Sequence, residues 1–252
     1  GDYMQRYFVE EKHVSEAKIR IVGDDVHHIA RVMRMTAGDQ IYCCVNGKTA
    51  VCSIDEITSE FINTAIVEWV EASSELPVFV TIASGLPKGD KLELIFQKGT
   101  ELGAAAFLPF QASRSIVKWD AKKADKKVER LRKIVKEAAE QSHRSEIPEV
   151  HAPASFKQLL TMSGEYDACL VAYEEEAKQG EKSNFAKALT TMKPGQKLLI
   201  VFGPEGGLAE EEITALREHK FVPCSLGPRI LRTETAPLYA LSAASYHFEL
   251  MG

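Results

Sequence analysis

The sequence predicts an α/β fold built on a parallel sheet, preceded by a small β-barrel domain. After residue 77, short apolar runs alternate with amphipathic stretches, as expected when helices cover both faces of a parallel sheet. Before residue 72, runs rich in β-branched and aromatic residues are separated by turn signals. We therefore expect two domains, residues 1–72 and residues 73–252, joined by the polar segment 71–77.

The first domain is predicted from four strand-like runs and one helix. The strands are expected at residues 5–9, 40–45, 49–57 and 63–70, and the helix at residues 24–33. Asn46 and Gly47 separate two of the runs, which is a signal for a tight hairpin. Several short strands at this spacing are typical of a small barrel.

The second domain is predicted from five alternating pairs of strand and helix. The strands are expected at residues 78–84, 105–110, 168–173, 198–202 and 221–225. The helices are expected at residues 90–102, 121–143, 184–192, 209–220 and 237–250. The last helix carries an apolar face at three-and-four spacing, which is first interpreted as a core face (Leu238, Leu241, Ala244, Ser245 and Phe248).

Composition excludes several classes of protein. The chain has 252 residues, 45% of them hydrophobic and 27% charged, which excludes a disordered chain. The apolar run 198–202 is far too short to span a bilayer, and no basic-then-apolar leader opens the chain, so we expect a cytoplasmic protein without a membrane partner. The five cysteines form no Cys-x-x-Cys pair, so we expect buried, reduced thiols and no metal site.

The net charge of −5 is distributed unevenly along the chain. Residues 1–72 contain 7 Lys and Arg against 12 Asp and Glu, whereas residues 114–144 contain 11 against 5. This basic stretch includes Lys122 and Lys126. It is either the solvated face of an amphipathic helix or a phosphate-binding stripe, because lysine and arginine neutralise a nucleic-acid backbone without reading its sequence.

Two loops that follow predicted strands are candidates for a ligand site. Residues 203–207 (GPEGG, the glycine loop) lack both the P-loop lysine and the dinucleotide-binding glycine pattern, so they form either a tight structural turn or a ligand loop. Residues 226–236 (LGPRILRTETA, the arginine loop) combine arginines, threonines and a glutamate around a Gly-Pro turn. Because ligands of open α/β sheets bind outside the carboxyl ends of strands, these two loops are expected side by side there.

Together with these loops, four other segments carry a family resemblance. They are residues 27–34 (HHIARVMR), 86–91 (LPKGDK), 97–103 (QKGTELG) and 137–142 (EAAEQS). With them, nearly the whole chain resembles the ribosomal RNA small-subunit methyltransferase E family, which forms 3-methyluridine in bacterial 16S rRNA.

The resemblance implies a SPOUT-type fold with a C-terminal trefoil knot, a PUA-like N-terminal barrel, S-adenosylmethionine as methyl donor, and a homodimer. It makes the apolar face of the last helix a possible dimer face as well as a core face. It places the cofactor against three C-terminal loops. The residues so implied are Ala172, Tyr173, Gly203, Gly206, Gly207, Leu226, Gly227, Ile230 and Leu231.

Methylation at uridine N3 sets two chemical requirements. The N3 proton must leave, and the negative charge that develops on the uracil carbonyl oxygens must be stabilised. We expect Arg232 or Arg229 to face those oxygens. Glu234 either accepts the N3 proton or orients an arginine, and orientation is favoured because a carboxylate beside two arginines is a weak base.

The RNA partner implied by the resemblance is 16S rRNA, in the context of the small ribosomal subunit. Its target base must leave the stack before the methyl group can reach it. Candidate RNA contacts are Arg31, Arg34, Arg114, Lys122 and Lys126.

Two alternative functions are considered. One is a Rossmann methyltransferase, whose glycine pattern is missing after residues 78–84, and the other is a non-catalytic module for RNA binding or ribosome assembly.

Overall fold

The computed structural model describes residues 4–174 and 183–251. The chain divides into two compact units, and the first comprises the residues up to Glu75 together with Ala139–Ile147. The second comprises Leu76–Ala138 and the residues from Pro148 onward. That residues 139–147 belong to the first unit was not expected from the sequence, and the domain boundary between residues 72 and 73 stays a prediction. Within the described ranges, no helix is both long and apolar enough to cross a membrane.

The first unit contains a curled five-stranded sheet. Its strands are β1 (Arg6–Phe8), β2 (Lys18–Val22), β3 (Gln40–Val45), β4 (Lys48–Ile57) and β5 (Phe61–Val70), in the spatial order β1-β3-β4-β5-β2. β1 pairs with β3 in parallel and the other pairs are antiparallel. Asn46 and Gly47 form the predicted hairpin turn, with φ of 47° and 77°, because that turn needs a positive φ at both central residues.

The remaining elements of the first unit are short helical turns. They are a 3₁₀ turn (Glu11–His13), helix α1 (Asp24–His27) and a π-helical turn (His28–Val32). The last two together occupy the predicted helix 24–33. Strand β2 was not predicted, although Ile19 and Ile21 are buried and alternate there with exposed Lys18 and Arg20. That alternation is the usual signal of a half-buried strand.

A buried ion pair secures residues 139–147 within the first unit. Arg144 is only 3% exposed, and its guanidinium binds the Glu75 carboxylate, with Nε 3.1 Å from Oε2. The Arg144 carbonyl accepts a hydrogen bond from Arg6 Nη1 at 3.3 Å, and Ser145 Oγ donates to the Gly47 carbonyl at 2.9 Å. These contacts join the segment to β1 and to the β3–β4 turn.

The second unit is built on an all-parallel sheet. Its strands are β6 (Phe79–Gly85), β7 (Ala106–Gln111), β8 (Glu149–Val150), β9 (Ala154–Ser155), β10 (Ala168–Ala172), β11 (Lys197–Phe202) and β12 (Val222–Cys224). The spatial order is β12-β10-β11-β6-β7-β8, with β9 also paired to β7. The central strands are almost continuously buried, as the apolar runs of the sequence predicted.

Helices separate these strands along the chain, except between β8 and β9. They are α2 (Lys91–Glu101), α3 (Ala121–Gln141), α4 (Phe156–Thr161), α5 (Asn184–Thr191), α6 (Glu210–Glu218) and α7 (Thr235–Ser245). A 3₁₀ turn (Met162–Glu165) follows α4, and a π-helical turn (Tyr246–Leu250) follows α7. The predicted α/β class with a parallel sheet is confirmed. The trefoil knot stays a prediction.

The last helix has two apolar faces. Leu241 and Ala244, from the predicted face, are completely buried. Tyr239, Tyr246 and Leu250 lie outside that face and are 38%, 57% and 74% exposed. The predicted face is therefore core at Leu241 and Ala244, its other residues are half-buried, and a second set of large side chains is left in solvent.

All five cysteines are free and buried, as the sequence predicted. Burial raises the pKa of the Cys169 thiol to about 11, which keeps it protonated near neutral pH. Within residues 4–174 and 183–251, no group of three or more His, Cys, Asp and Glu side chains is arranged to hold a metal ion.

Candidate active site

A cavity of about 660 Å³ lies at the carboxyl edge of the parallel sheet. Residues that follow β7, β10, β11 and β12 line it, together with the start of α2. This is the edge at which ligands of open α/β sheets bind. The volume lies within the range of small-molecule and cofactor sites.

The structure brings most of the predicted cofactor residues to this cavity. Ala172, Tyr173, Gly203, Gly207, Ile230 and Leu231 all line it. Tyr173 is 38% exposed and Ile230 is fully exposed, so both offer apolar surface that a ligand can cover. Gly206, Leu226 and Gly227 are not among the lining residues, although each adjoins or lies close to one in the chain.

The glycine loop is tightly packed against its surroundings. A Cβ on Gly203 would lie 3.1 Å from the Gly207 carbonyl carbon and from the backbone nitrogen of Leu208. Gly207 has a φ of +76°, which side chains other than glycine rarely adopt, and its N–H donates to the Pro204 carbonyl at 2.8 Å. The loop therefore needs glycine at both positions to turn from β11 into α6.

The arginine loop supplies the charged groups of the cavity. Arg232, Thr233 and Glu234 line it, whereas Arg229 is exposed and does not. Oε2 of Glu234 is buried and has no hydrogen-bond partner in the described part of the chain. Within residues 4–174 and 183–251, Glu234 makes no ion pair with Arg229 or Arg232. A buried carboxylate oxygen without a partner is costly, and it marks a place where a ligand donor can bind.

The predicted RNA contacts fall in several places. Arg114 lines the cavity, and its Nη1 donates to the Gly206 carbonyl at 3.1 Å. Lys122 and Lys126 are exposed on α3. Arg31 and Arg34 are exposed in the first unit, and Arg34 has a φ of +49°.

Part of the basic stretch is already occupied by internal contacts. Arg130 pairs with Glu93, and Arg132 Nη2 donates to the Val150 carbonyl at 3.1 Å. The inner face of the same helix is buried, with Leu131 and Val135 at 2% and 0% exposure. The stretch is thus an amphipathic helix whose outer lysines stay in solvent.

Eight residues that line the cavity were not among the predicted site residues. Pro204, Glu205, Thr233 and Ala236 lie within the two candidate loops, whereas Lys91, Phe202, Leu208 and Glu210 lie outside them. Glu205 accepts hydrogen bonds from the Lys88 N–H at 2.9 and 3.2 Å, and Lys91 Nζ lies 3.9 Å from it. This contact brings the start of α2 to the glycine loop. The segment 86–91, which contains Lys88 and Lys91, could have indicated this contact. It contributed to the family resemblance, but no site residue was predicted in it.

Comparisons with known proteins agree with this geometry. The family model described as RNA methyltransferase domain matches residues 74–245, and that described as RNA methyltransferase PUA domain matches residues 21–67. The ribosomal RNA small subunit methyltransferase E of Bacillus subtilis is 57% identical over 252 residues, covering 98% of each chain. This chain belongs to that RNA methyltransferase family. The predicted resemblance is confirmed.

Solved structures extend the family relationship to the cofactor. The ribosomal RNA small subunit methyltransferase E of Neisseria gonorrhoeae, bound to S-adenosylmethionine, is 28% identical with a TM-score of 0.78, covering 97% of this chain and 98% of its own. A Legionella pneumophila methyltransferase with the same cofactor bound shows the same identity, TM-score and coverage. Family members with this fold thus bind S-adenosylmethionine.

Proposed function

We propose that this chain transfers a methyl group from S-adenosylmethionine to N3 of a uridine in 16S rRNA, forming 3-methyluridine. One observation carries the proposal: the carboxyl-edge cavity is lined by the loops after β10, β11 and β12, and the last of these adds an arginine and an unpartnered carboxylate oxygen. Family membership supports the same reaction class.

The residues present fit the cofactor. The cavity has the size of a small-molecule site, and the exposed side chains of Tyr173 and Ile230 provide apolar cover for an aromatic ring. Gly203 and Gly207 both line the cavity, so the backbone of the glycine loop would border a ligand bound there. Bound there, the cofactor supplies an activated methyl group on a sulfonium.

Arg232 is proposed to stabilise the uridine as it loses its N3 proton. Negative charge then develops on the uracil carbonyl oxygens, and a guanidinium that lines the cavity lowers the energy of that state. Arg229 lies outside the cavity, so of the two predicted arginines Arg232 takes this role.

Glu234 is proposed to accept the N3 proton. The preference for an orienting role rested on ion pairing with an arginine, and the structure has no such pair within its described residues. A buried oxygen without a partner is free to accept a hydrogen bond from N3–H. In the transfer step, N3 forms a bond to the methyl carbon and its proton passes to Glu234. The bond between the methyl carbon and the sulfonium sulfur breaks, and the sulfur keeps its electrons.

The RNA is proposed to approach with its target base out of the stack. Basic groups around the cavity and on the first unit then bind its phosphates. Arg114 lies at the cavity, and Lys122 and Lys126 are exposed on α3. Arg31 and Arg34 are the proposed contacts of the PUA-like unit. These groups bind phosphates, which fix orientation, while the cavity selects the base.

A homodimer acting in the cytoplasm on the small ribosomal subunit completes the proposal. The dimer is supported by the exposed side chains of Tyr239, Tyr246 and Leu250, which form an apolar set on the last helical segment. Sedimentation at low concentration should give the mass of two chains. A single-chain mass would refute the dimer.

The function is tested with the purified protein and the variant Glu234→Gln. We expect calorimetry to detect S-adenosylmethionine binding to both, and methyl transfer to rRNA to fall by about 100-fold or more in the variant, as for loss of a general base. No binding of S-adenosylmethionine to the unmodified protein would favour the non-catalytic RNA-binding module. Full transfer by the variant would refute the role of Glu234 alone.

A further inference from the structure

Glu212 is a buried acid that the proposed reaction does not use. It lies in the first turn of α6 and is only 6% exposed. Its Oε1 accepts hydrogen bonds from the Ala209 N–H at 2.9 Å and from Ser113 Oγ at 3.0 Å, and its Oε2 accepts the Ser113 N–H at 3.2 Å. In the described ranges, no lysine or arginine pairs with it, so a buried carboxylate is satisfied entirely by neutral donors.

Two of these three hydrogen bonds fix Ser113, the residue before Arg114. Ser113 lies in the loop after β7, whereas Glu212 lies in the first turn of α6, so the carboxylate joins a loop and a helix across 99 residues of the chain. Burial of a charged group is costly unless it is fully hydrogen-bonded, and this one is bonded at both oxygens. The backbone at Ser113 is therefore held rigidly against the start of α6.

Arg114 in turn lies directly on the glycine loop. Its Nη1 donates to the Gly206 carbonyl at 3.1 Å, and a Cβ placed on Gly206 would be 3.2 Å from the Arg114 Cβ. Within the described residues, this contact uses one of the five guanidinium N–H groups, and the others remain for a ligand. The side chain lines the cavity, so it presents fixed positive charge at the site.

We propose that Glu212 is a positioning residue that acts through Ser113 to hold the Arg114 guanidinium at the cavity, where it binds the phosphate of the target nucleotide. This inference rests on the proposed function, because it assumes an RNA substrate at the cavity. If Arg114 lay on a free loop, ordering its long side chain would cost conformational entropy when RNA binds. Fixing its backbone and its guanidinium beforehand reduces that cost.

The test is a double-mutant cycle read out by RNA binding as a function of salt. The variants are Arg114→Ala, Glu212→Ala, both together, and Glu212→Gln. The last keeps an acceptor oxygen for Ala209 and for Ser113 Oγ. Glu211→Ala is the matched control, because Glu211 is exposed on the same helical turn. Binding of a full-length 16S rRNA transcript is measured over a range of salt concentrations, together with thermal denaturation of each variant.

Loss of one phosphate contact lowers the slope of log K against log salt by about one. We expect this decrease for Arg114→Ala and a similar one for Glu212→Ala, with no further decrease in the double variant. Glu212→Gln should fall between the unmodified protein and Glu212→Ala, and Glu211→Ala should match the unmodified protein. A purely structural Glu212 would lower the melting temperature and leave the slope unchanged, and that result would overturn the proposal, as would additive effects in the double variant.

The cycle separates this proposal from the proposed function. Salt-dependent RNA binding is measured without methyl transfer, so it reports on Arg114 and Glu212 whatever the reaction. If the unmodified protein binds rRNA but transfers no methyl group, the proposed function fails while the cycle still decides the role of Glu212.

Discussion

Replacing Gly203 by alanine tests whether the glycine loop shapes the cofactor site. The new Cβ would lie 3.1 Å from the Gly207 carbonyl carbon, the Leu208 nitrogen and the Leu208 Cγ. Two of these atoms belong to the backbone, so the loop itself must move by a few tenths of an ångström. Overpacking of this kind costs about 1–3 kcal/mol. If the loop takes up that cost at the cavity, affinity for S-adenosylmethionine falls by roughly 5- to 150-fold.

The assay is calorimetric titration of each variant with S-adenosylmethionine, alongside thermal denaturation. Gly164→Ala is the matched control, because a Cβ there meets no atom within 4 Å and Gly164 lies away from the cavity. It should bind the cofactor like the unmodified protein. Unchanged affinity in Gly203→Ala would refute the assignment of the glycine loop to the cofactor. A fall confined to the melting temperature would mean that the loop is only structural.

Three further predictions concern charge. Arg232→Ala is expected to lower the rate of methyl transfer by about 100-fold, the usual cost of losing one donor to a developing negative charge; a full rate in single-turnover measurements would contradict its role. Replacing Lys122 and Lys126 by glutamine should lower the salt slope of rRNA binding by about two, and an unchanged slope would leave them as a solvated helix face. Arg144→Ala should lower the free energy of unfolding of the first unit by about 3–5 kcal/mol in denaturant, because it leaves the Glu75 carboxylate without its ion-pair partner. A change below about 1 kcal/mol would contradict a stabilising role of this buried pair.

Periodicity was enough to predict the architecture of the second unit. The buried strand β11 is a continuous apolar run, and it was placed within one residue of its observed start. The same reasoning missed β2, where Ile19 and Ile21 alternate with charged residues over only five positions. Short alternating segments give a weak signal, and their strand character is decided by pairing with a distant strand such as β5.

The cavity could be predicted only as far as local sequence defines it. Ile230 and Arg232 lie in one loop, and a strand-to-helix connection with that composition indicated a site. Arg114 and Lys91 reach the same cavity from β7 and from the start of α2, and their place depends on the order of strands in the sheet. The hydrogen bonds that Ser113 donates to Glu212 span 99 residues, and no pattern in a single sequence indicates such a contact.

The ion pair between Arg144 and Glu75 shows the same limit within the first unit. Residues 121–143 were predicted to form one long helix. In the structure the helix ends at Gln141, His143 has a φ of +59°, and the buried Arg144 binds Glu75. A buried charge is stable only with its partner, and the partner is 69 residues away.

Analysis of the reaction product tests the central claim most directly. The purified protein is incubated with S-adenosylmethionine and either 16S rRNA or small ribosomal subunits that lack the modification, and the nucleosides are then identified by mass spectrometry. The proposal predicts 3-methyluridine at a single position of the rRNA, with the yield abolished when S-adenosylmethionine is omitted. A different methylated nucleoside would contradict the proposed target atom, and no methylated product on either substrate would contradict the proposed reaction.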